Sequence, residues 1–217
     1  MMISAIPCNT QNYGGLRGQK VRYIVIHYTA GRGDTARDNG RYFANNVVAA
    51  SAHWFVDENE VLASVPEQFV AWHCGGAAYM HPECRNSNSI GVELCSEMEQ
   101  NGQYYFTEQT LENAKELVRT LMEQYDIPVE RVLRHYDVTG KICPAPFVGA
   151  GMDAWEEFKG GLTVYPKFEN VPDWAKPTIQ KLMEKDLLLG DEKGNLNLTK
   201  DMTRTMVILD RAGVFDK

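Results

Sequence analysis

The sequence predicts an α/β fold followed by a small helical unit, and three observations carry that expectation. A nearly continuous apolar run, rich in β-branched residues, lies at residues 23–30 and reads as a strand covered on both faces, and shorter strand-like segments follow at 90–94 and 132–135. Segments with helical spacing lie between them, the clearest at residues 107–126. Beyond Gly160-Gly161 and Pro166 the composition changes and two shorter amphipathic patterns follow.

Length and composition set the outer bounds. A chain of 217 residues accommodates one good-sized domain and something small. Its net charge of -7 argues against a phosphate backbone as main partner, because nucleic-acid affinity rests on Lys and Arg neutralising phosphates. No stretch reaches the roughly 20 apolar residues that span a bilayer. Met1-Met-Ile-Ser-Ala-Ile-Pro7 lacks the basic start and apolar middle of a secretory signal, so synthesis and folding in the cytoplasm are expected. Five cysteines, Cys8, Cys74, Cys84, Cys95 and Cys143, are an odd number without the regular spacing of a disulfide framework, and they read as reduced thiols.

Residues 1–20 carry Asn9, Asn12, Gly14, Gly15 and Gly18 and no periodicity, so an irregular lead-in is expected. Tyr23-Ile-Val-Ile-His27-Tyr-Thr-Ala30 reads as a central strand that delivers a histidine where its hydrophobicity stops. Gly31-Arg-Gly-Asp34 is a turn, and Ala36, Tyr42, Phe43 and Val47 suggest a helix over residues 35–48. Ser51-Ala-His53-Trp-Phe-Val56 and Val61-Leu-Ala-Ser-Val65 flank Asp57-Glu-Asn-Glu60, a hairpin pattern. A long loop holds Trp72-His73-Cys74-Gly75-Gly76 and ends at Asn86-Ser-Asn-Ser89. Ile90-Gly-Val-Glu93-Leu94 is a strand with an acid inside an apolar run, and burying a carboxylate without a partner is costly. In the helix over 107–126, Leu111, Ala114, Leu117, Val118 and Leu121 share one face, Thr107 caps the start and Pro128 marks the end. A short strand then ends at His135, a turn region spans 140–146, and Trp155 and Phe158 belong to a closing helix. The domain is expected over 1–160, a linker over 161–166, and over 167–217 a small unit of two helices, 174–185 and 202–212. A unit that short sits near the lower limit for independent stability, so docking or self-association is expected of it.

His27, His135 and Cys143 offer two imidazoles and a thiolate, a donor set suited to catalytic zinc, which takes three protein ligands and leaves a fourth position open. Spacing alone leaves open two satisfied core histidines and a buried thiol. Glu93 is the best candidate for a general base and Lys141 for an oxyanion donor. Cys143 as a nucleophile with a histidine base is an alternative chemistry, which Pro144 immediately after it disfavours.

Ile24-Val-Ile-His-Tyr-Thr29, Ser51-Ala-His53-Trp54 with Ala71-Trp-His73, Asn86-Ser-Asn-Ser-Ile-Gly-Val-Glu93 and Lys141-Ile-Cys-Pro144, in that order, resemble the motifs of zinc-dependent N-acetylmuramoyl-L-alanine amidases. These are the type found in phage endolysins and related to peptidoglycan recognition proteins. The resemblance covers residues 6–158. It implies a central mixed sheet flanked by helices, zinc held by His27, His135 and Cys143, and cleavage of the amide between N-acetylmuramic acid and L-alanine of the stem peptide. It also implies Glu93 as base, Lys141 as oxyanion donor, and His53, Trp72 and His73 lining the cleft to meet substrate. Where some members carry a tyrosine immediately before the histidine matching His53, this chain has Ala52, so members with glutamate at the Glu93 position are the closer guide. Cys74, Cys84 and Cys95 match no ligand position, and His81 reads as a surface histidine.

The segment after Pro166 is similar to the C-terminal tails of endolysins from phages or prophages of Gram-positive bacteria, and to a single surface-layer homology repeat. It is expected to target the cell wall or to make a homo-oligomer. Peptidoglycan is thus the expected partner, reached after release from the cytoplasm. A recognition module that binds peptidoglycan without cutting it is the runner-up, and the intact His27, His135, Cys143 and Glu93 argue for the enzyme.

Overall fold

The computed structural model describes residues 2–216, which divide into two compact units with the boundary between Trp155 and Glu156. In the first unit a six-stranded sheet runs in the order Met2–Ala5, Glu60–Ala63, Trp54–Val56, Ser89–Leu94, Tyr23–Tyr28, Val132–Arg134. Only Trp54–Val56 and Glu60–Ala63 pair antiparallel, as the hairpin they form requires; the remaining pairs are parallel. The sheet is therefore mixed and flanked by helices. The two most apolar strands lie inside it, with Ile24, Val25, Ile26, Ile90, Val92 and Leu94 sealed from solvent, as strands covered on both faces should be.

The helix α1 spans Ala36–Asn45 and opens on a capping box between Thr35 and Asp38. It packs on the hairpin through Ala36 and Phe43 against Phe55 and Leu62. The helix α2, Glu108–Tyr125, starts at the Thr107 cap and ends where Asp126 turns left-handed at φ 54°. Its buried face, Ala114, Leu117, Val118 and Leu121, is the one read from the spacing. Asn113 reaches past this face to donate to the carbonyls of Asp57 and Glu58, tying the helix to the hairpin turn.

Three expectations are corrected. Residues 1–20 are not irregular throughout: Met2–Ala5 forms the edge strand beside Glu60–Ala63, and Tyr13–Leu16 pairs with Phe69–Ala71. Met2 and Ile3 remain more than half exposed, so a short edge strand leaves no buried pattern to read. His135 opens a short helix α3, His135–Thr139, rather than closing the strand Val132–Arg134. Gly160-Gly161 lies within α4, Met152–Leu162, and Val164–Tyr165 pairs with Leu198–Thr199, so that stretch is ordered secondary structure rather than a linker.

After α4, the second unit holds the helices α5 at Lys176–Glu184 and α6 at Lys200–Arg211. Its core is Val171, Ala175, Ile179, Leu198 and Val207, and Asp210 on α6 accepts from Thr178 and Lys181 on α5 at 2.7 and 2.6 Å. Among the described residues no helix is long and apolar enough to cross a membrane.

Candidate metal centre

Parallel pairing lines up the chemistry. His27 and Glu93 are register partners on neighbouring strands, and Arg134 pairs with Ile26, so His135 emerges beside His27. All three leave the sheet at the carboxyl ends of its parallel strands, where open α/β sheets form their crevices. Cys143 is brought in by a reversal after α3: Gly140 adopts φ 79°, a value glycine tolerates without strain. The Tyr136 amide then donates to the Cys143 carbonyl at 2.8 Å.

One ligand atom each from His27, His135 and Cys143 fall within 4.8 Å of one another. The two imidazole rings lie 4.7 Å apart, inclined at 63°. His27 Nδ1 faces Cys143 Sγ at 3.7 Å, while its Nε2 meets His73 Nδ1 at 3.0 Å. His135 Nε2 lies 3.2 Å from the Gly75 carbonyl, which can only accept, so that nitrogen carries the proton and Nδ1 is bare. His135 Nδ1 is buried and finds no partner among the described residues. A buried, bare imidazole nitrogen in a cluster with a second imidazole and a thiol is a cost to the fold unless something there accepts its lone pair. A divalent cation does, and two imidazoles with one thiolate suit zinc.

Electrostatics agree with this donor set. Burial, reinforced by the neighbouring His73 and His135 rings and the Lys141 ammonium, holds His27 well below the usual histidine range. Burial and then Lys141 bring His135 down to about 4. Both rings are thus neutral, the form that binds metal. Burial and then Glu93 push the Cys143 thiol up to about 12 against the pull of Lys141, so without a metal ion it stays protonated.

A cavity of about 390 Å³ opens over the cluster and is lined by Glu93, Lys141, Trp72 and His73 among others. Glu93 Oε2 is buried without a partner among the described residues. Burial raises the Glu93 carboxyl to about 8, against the pull of Lys141. A carboxyl poised near neutrality can take and return a proton. Lys141 is exposed at the rim, two positions before Cys143. Trp72, 37% exposed, presents a large ring to the same space.

Of the three residues expected to line the cleft, Trp72 and His73 line the cavity and His53 does not. His53 is fully buried, with Nδ1 accepting from the Gly91 amide at 2.9 Å and Nε2 lying 2.6 Å from Arg17 Nη2. It fills the space between the sheet and the lead-in and does not line the cavity. His73 lines it, yet both ring nitrogens are engaged, Nδ1 by His27 and Nε2 by Ser89 Oγ at 3.2 Å, which leaves it no free polar atom for substrate.

The residues missed at first are those that hold the support in place. Arg17 donates to the carbonyls of Glu67, Asn86, Ser87 and Ser89, clamping the lead-in to the Asn86-Ser-Asn-Ser89 loop. Asn86 Oδ1 accepts from the amides of His73 and Cys74 at 3.1 and 2.9 Å. An arginine among glycines carried no signal of burial; the asparagine-serine loop did carry one, since short polar side chains in such a run bond to backbone. Cys8, Cys74, Cys84 and Cys95 are buried free thiols, and His81 Nδ1 accepts from the Cys84 amide at 2.9 Å.

The profile of the family described as N-acetylmuramoyl-L-alanine amidase matches residues 17–146, a span that contains the whole cluster. The chain is 37% identical over 153 residues to the N-acetylmuramoyl-L-alanine amidase CwlL of Bacillus licheniformis, covering 66% of this chain and 41% of that protein. It is 37% identical over 159 residues to the N-acetylmuramoyl-L-alanine amidase BlyA of Bacillus subtilis (strain 168), covering 67% of this chain and 42% of that protein. The chain thus spans about two fifths of the length of these relatives. Among solved structures, the catalytic domain of XlyA superposes with a TM-score of 0.62 at 28% identity, covering 75% of this chain and 99% of that one. PlyL superposes with a TM-score of 0.61 at 29% identity, covering 75% and 97%.

Proposed function

The chain belongs to the N-acetylmuramoyl-L-alanine amidase family, and from that premise we propose that it is a zinc-dependent, endolysin-type hydrolase of peptidoglycan. Its bond is the amide between the lactyl group of N-acetylmuramic acid and L-alanine. The observation that carries this reading is the meeting of His27, His135 and Cys143 beside Glu93 and Lys141 in one cavity.

In this mechanism His27 Nδ1, His135 Nδ1 and Cys143 Sγ would hold the metal. When bound, zinc supplies Lewis-acid polarisation of the reacting oxygens. Glu93 takes a proton from the water whose oxygen attacks the lactyl carbonyl carbon. As the carbon–nitrogen bond breaks, Glu93 returns that proton to the leaving nitrogen, giving a stem peptide with a free alanine amine, and the water's second proton stays on the new lactyl carboxyl group, which releases it to solvent at neutral pH. The Lys141 ammonium faces the oxygen on which charge develops. Because that charge exists only along the reaction path, Lys141→Ala is expected to lower kcat by about 100-fold with KM changed far less. A variant whose loss lies wholly in KM would remove Lys141 from this role.

The test is a digest of purified Gram-positive peptidoglycan, read by mass spectrometry for stem peptides beginning with L-alanine, with and without a zinc chelator. Chelator-sensitive release is expected. Intact wall in the presence of zinc-loaded, wall-bound protein would overturn the hydrolase and leave a recognition module.

The second unit is the part proposed to hold the wall or a second copy of the chain. Support comes from the large side chains it leaves exposed, Trp174, Met202, Ile208 and Val214. A chain ending at Gly161 should then sediment with the wall less than the whole chain does, or differ from it in oligomeric state. Identical behaviour in both respects would remove both roles.

A further inference from the structure

The two metal-facing imidazoles are held from behind by one short stretch of chain, and the two supports differ in kind. Behind His135 stands the Gly75 carbonyl, an acceptor only, which leaves a single tautomer. Behind His27 stands another imidazole, His73 Nδ1 at 3.0 Å. A neutral imidazole can donate or accept at that nitrogen, so the pair by itself does not decide which ring gives the proton. Were His73 the donor, His27 would carry its own proton on Nδ1, facing Cys143, and one of the three metal donors would be blocked.

The decision falls one step further back. His73 Nε2 lies 3.2 Å from Ser89 Oγ, and that hydroxyl donates at 2.7 Å to the Arg85 carbonyl. With its one proton committed there, Ser89 can only accept from His73, so His73 carries its proton on Nε2 and its Nδ1 is bare. The ring is held against Gly91, where a Cβ would come within 2.5 Å of His73 Cγ. Its backbone is pinned by Asn86.

We propose that His73 is a positioning residue of the metal site, locked by Ser89 in the tautomer that accepts the His27 Nε2 proton and so leaves His27 Nδ1 free for metal. The inference rests on the zinc reading above. It gives His73 a role behind the ligand, as a ligating imidazole needs a partner for its other nitrogen, in place of a contact with substrate.

Two measurements test it. Nitrogen NMR of the metal-free protein, labelled at histidine, should find the protons of His27 and His73 on Nε2; a proton on Nδ1 of either ring overturns the proposal. Zinc affinity, measured by competition with a chromogenic chelator, should fall about 10- to 100-fold in His73→Leu. It should recover most of that loss in His73→Gln, whose carbonyl accepts the His27 proton while its amide faces Ser89. A space-filling role would leave Leu and Gln alike, and that result, or wild-type affinity in His73→Leu, overturns the relay while the zinc reading stands. Failure of the wild-type chain itself to bind zinc removes the zinc reading and the relay with it. If the substituted chains do not fold, the wild-type spectra decide alone.

Discussion

Cys143→Ala is expected to lose zinc and hydrolysis together while keeping its fold. The thiol is 3% exposed, and burial leaves it protonated in the absence of metal, pushed up to about 12. In the metal-free protein it therefore acts as a small buried side chain, and exchange for alanine removes one polarisable atom at a cost of about 1 kcal/mol. The metal-bound state is another matter, because two imidazoles then remain where three donors stood. Zinc affinity is expected to fall by at least ~100-fold. Thermal unfolding separates the two effects, since a ligand that binds only the native state raises Tm by an amount that grows with the logarithm of its affinity. Zinc should raise the Tm of the wild type and leave that of Cys143→Ala where it was, with the two metal-free values close. A Cys143→Ala chain that retained stoichiometric zinc and turnover would remove the thiol from the site.

The reach of the sequence followed the range of the interactions. His27 and Glu93 were legible because each interrupts an apolar strand, and an ionisable group at such a place is either a cost or a tool. The buried face of α2 was legible because helical spacing is local. His53 carried the same surface signal as His73, each beside a tryptophan, yet one is sealed in the interior and the other lines the cavity. What separates them is Arg17, which reaches His53 across 36 positions of chain, and no window of sequence contains that pairing. The edge strand Met2–Ala5 was missed for a related reason, since its partner is Glu60–Ala63. His135 meets His27 although it opens α3, because a register one step beyond Ile26 sets its position regardless of the element it begins.

Glu93→Gln carries the other large effect, a loss of about 10²- to 10⁴-fold in turnover with zinc content and wall binding kept. Glutamine fills the same space and cannot take a proton, so only the transfer from water to the leaving nitrogen is removed. The fold should not suffer, because Glu93 Oε2 is buried with no partner among the described residues, and an amide is cheaper to bury than a carboxylate. The pH dependence of stability gives an independent check on the metal-free protein. Burial raises the native carboxyl from 4.5 to about 8, so between those values the native state holds a proton that the unfolded chain has released. Stability from this group therefore falls as pH rises across that window. The glutamine chain has no such proton, and its Tm relative to the wild type should climb from about pH 5 to about pH 8 and then level off. An active, zinc-loaded Glu93→Gln protein would end the base assignment. A Tm difference that did not change with pH would mean that the carboxyl is solvated in the metal-free site, and would leave the kinetic loss as the only support for its poised state.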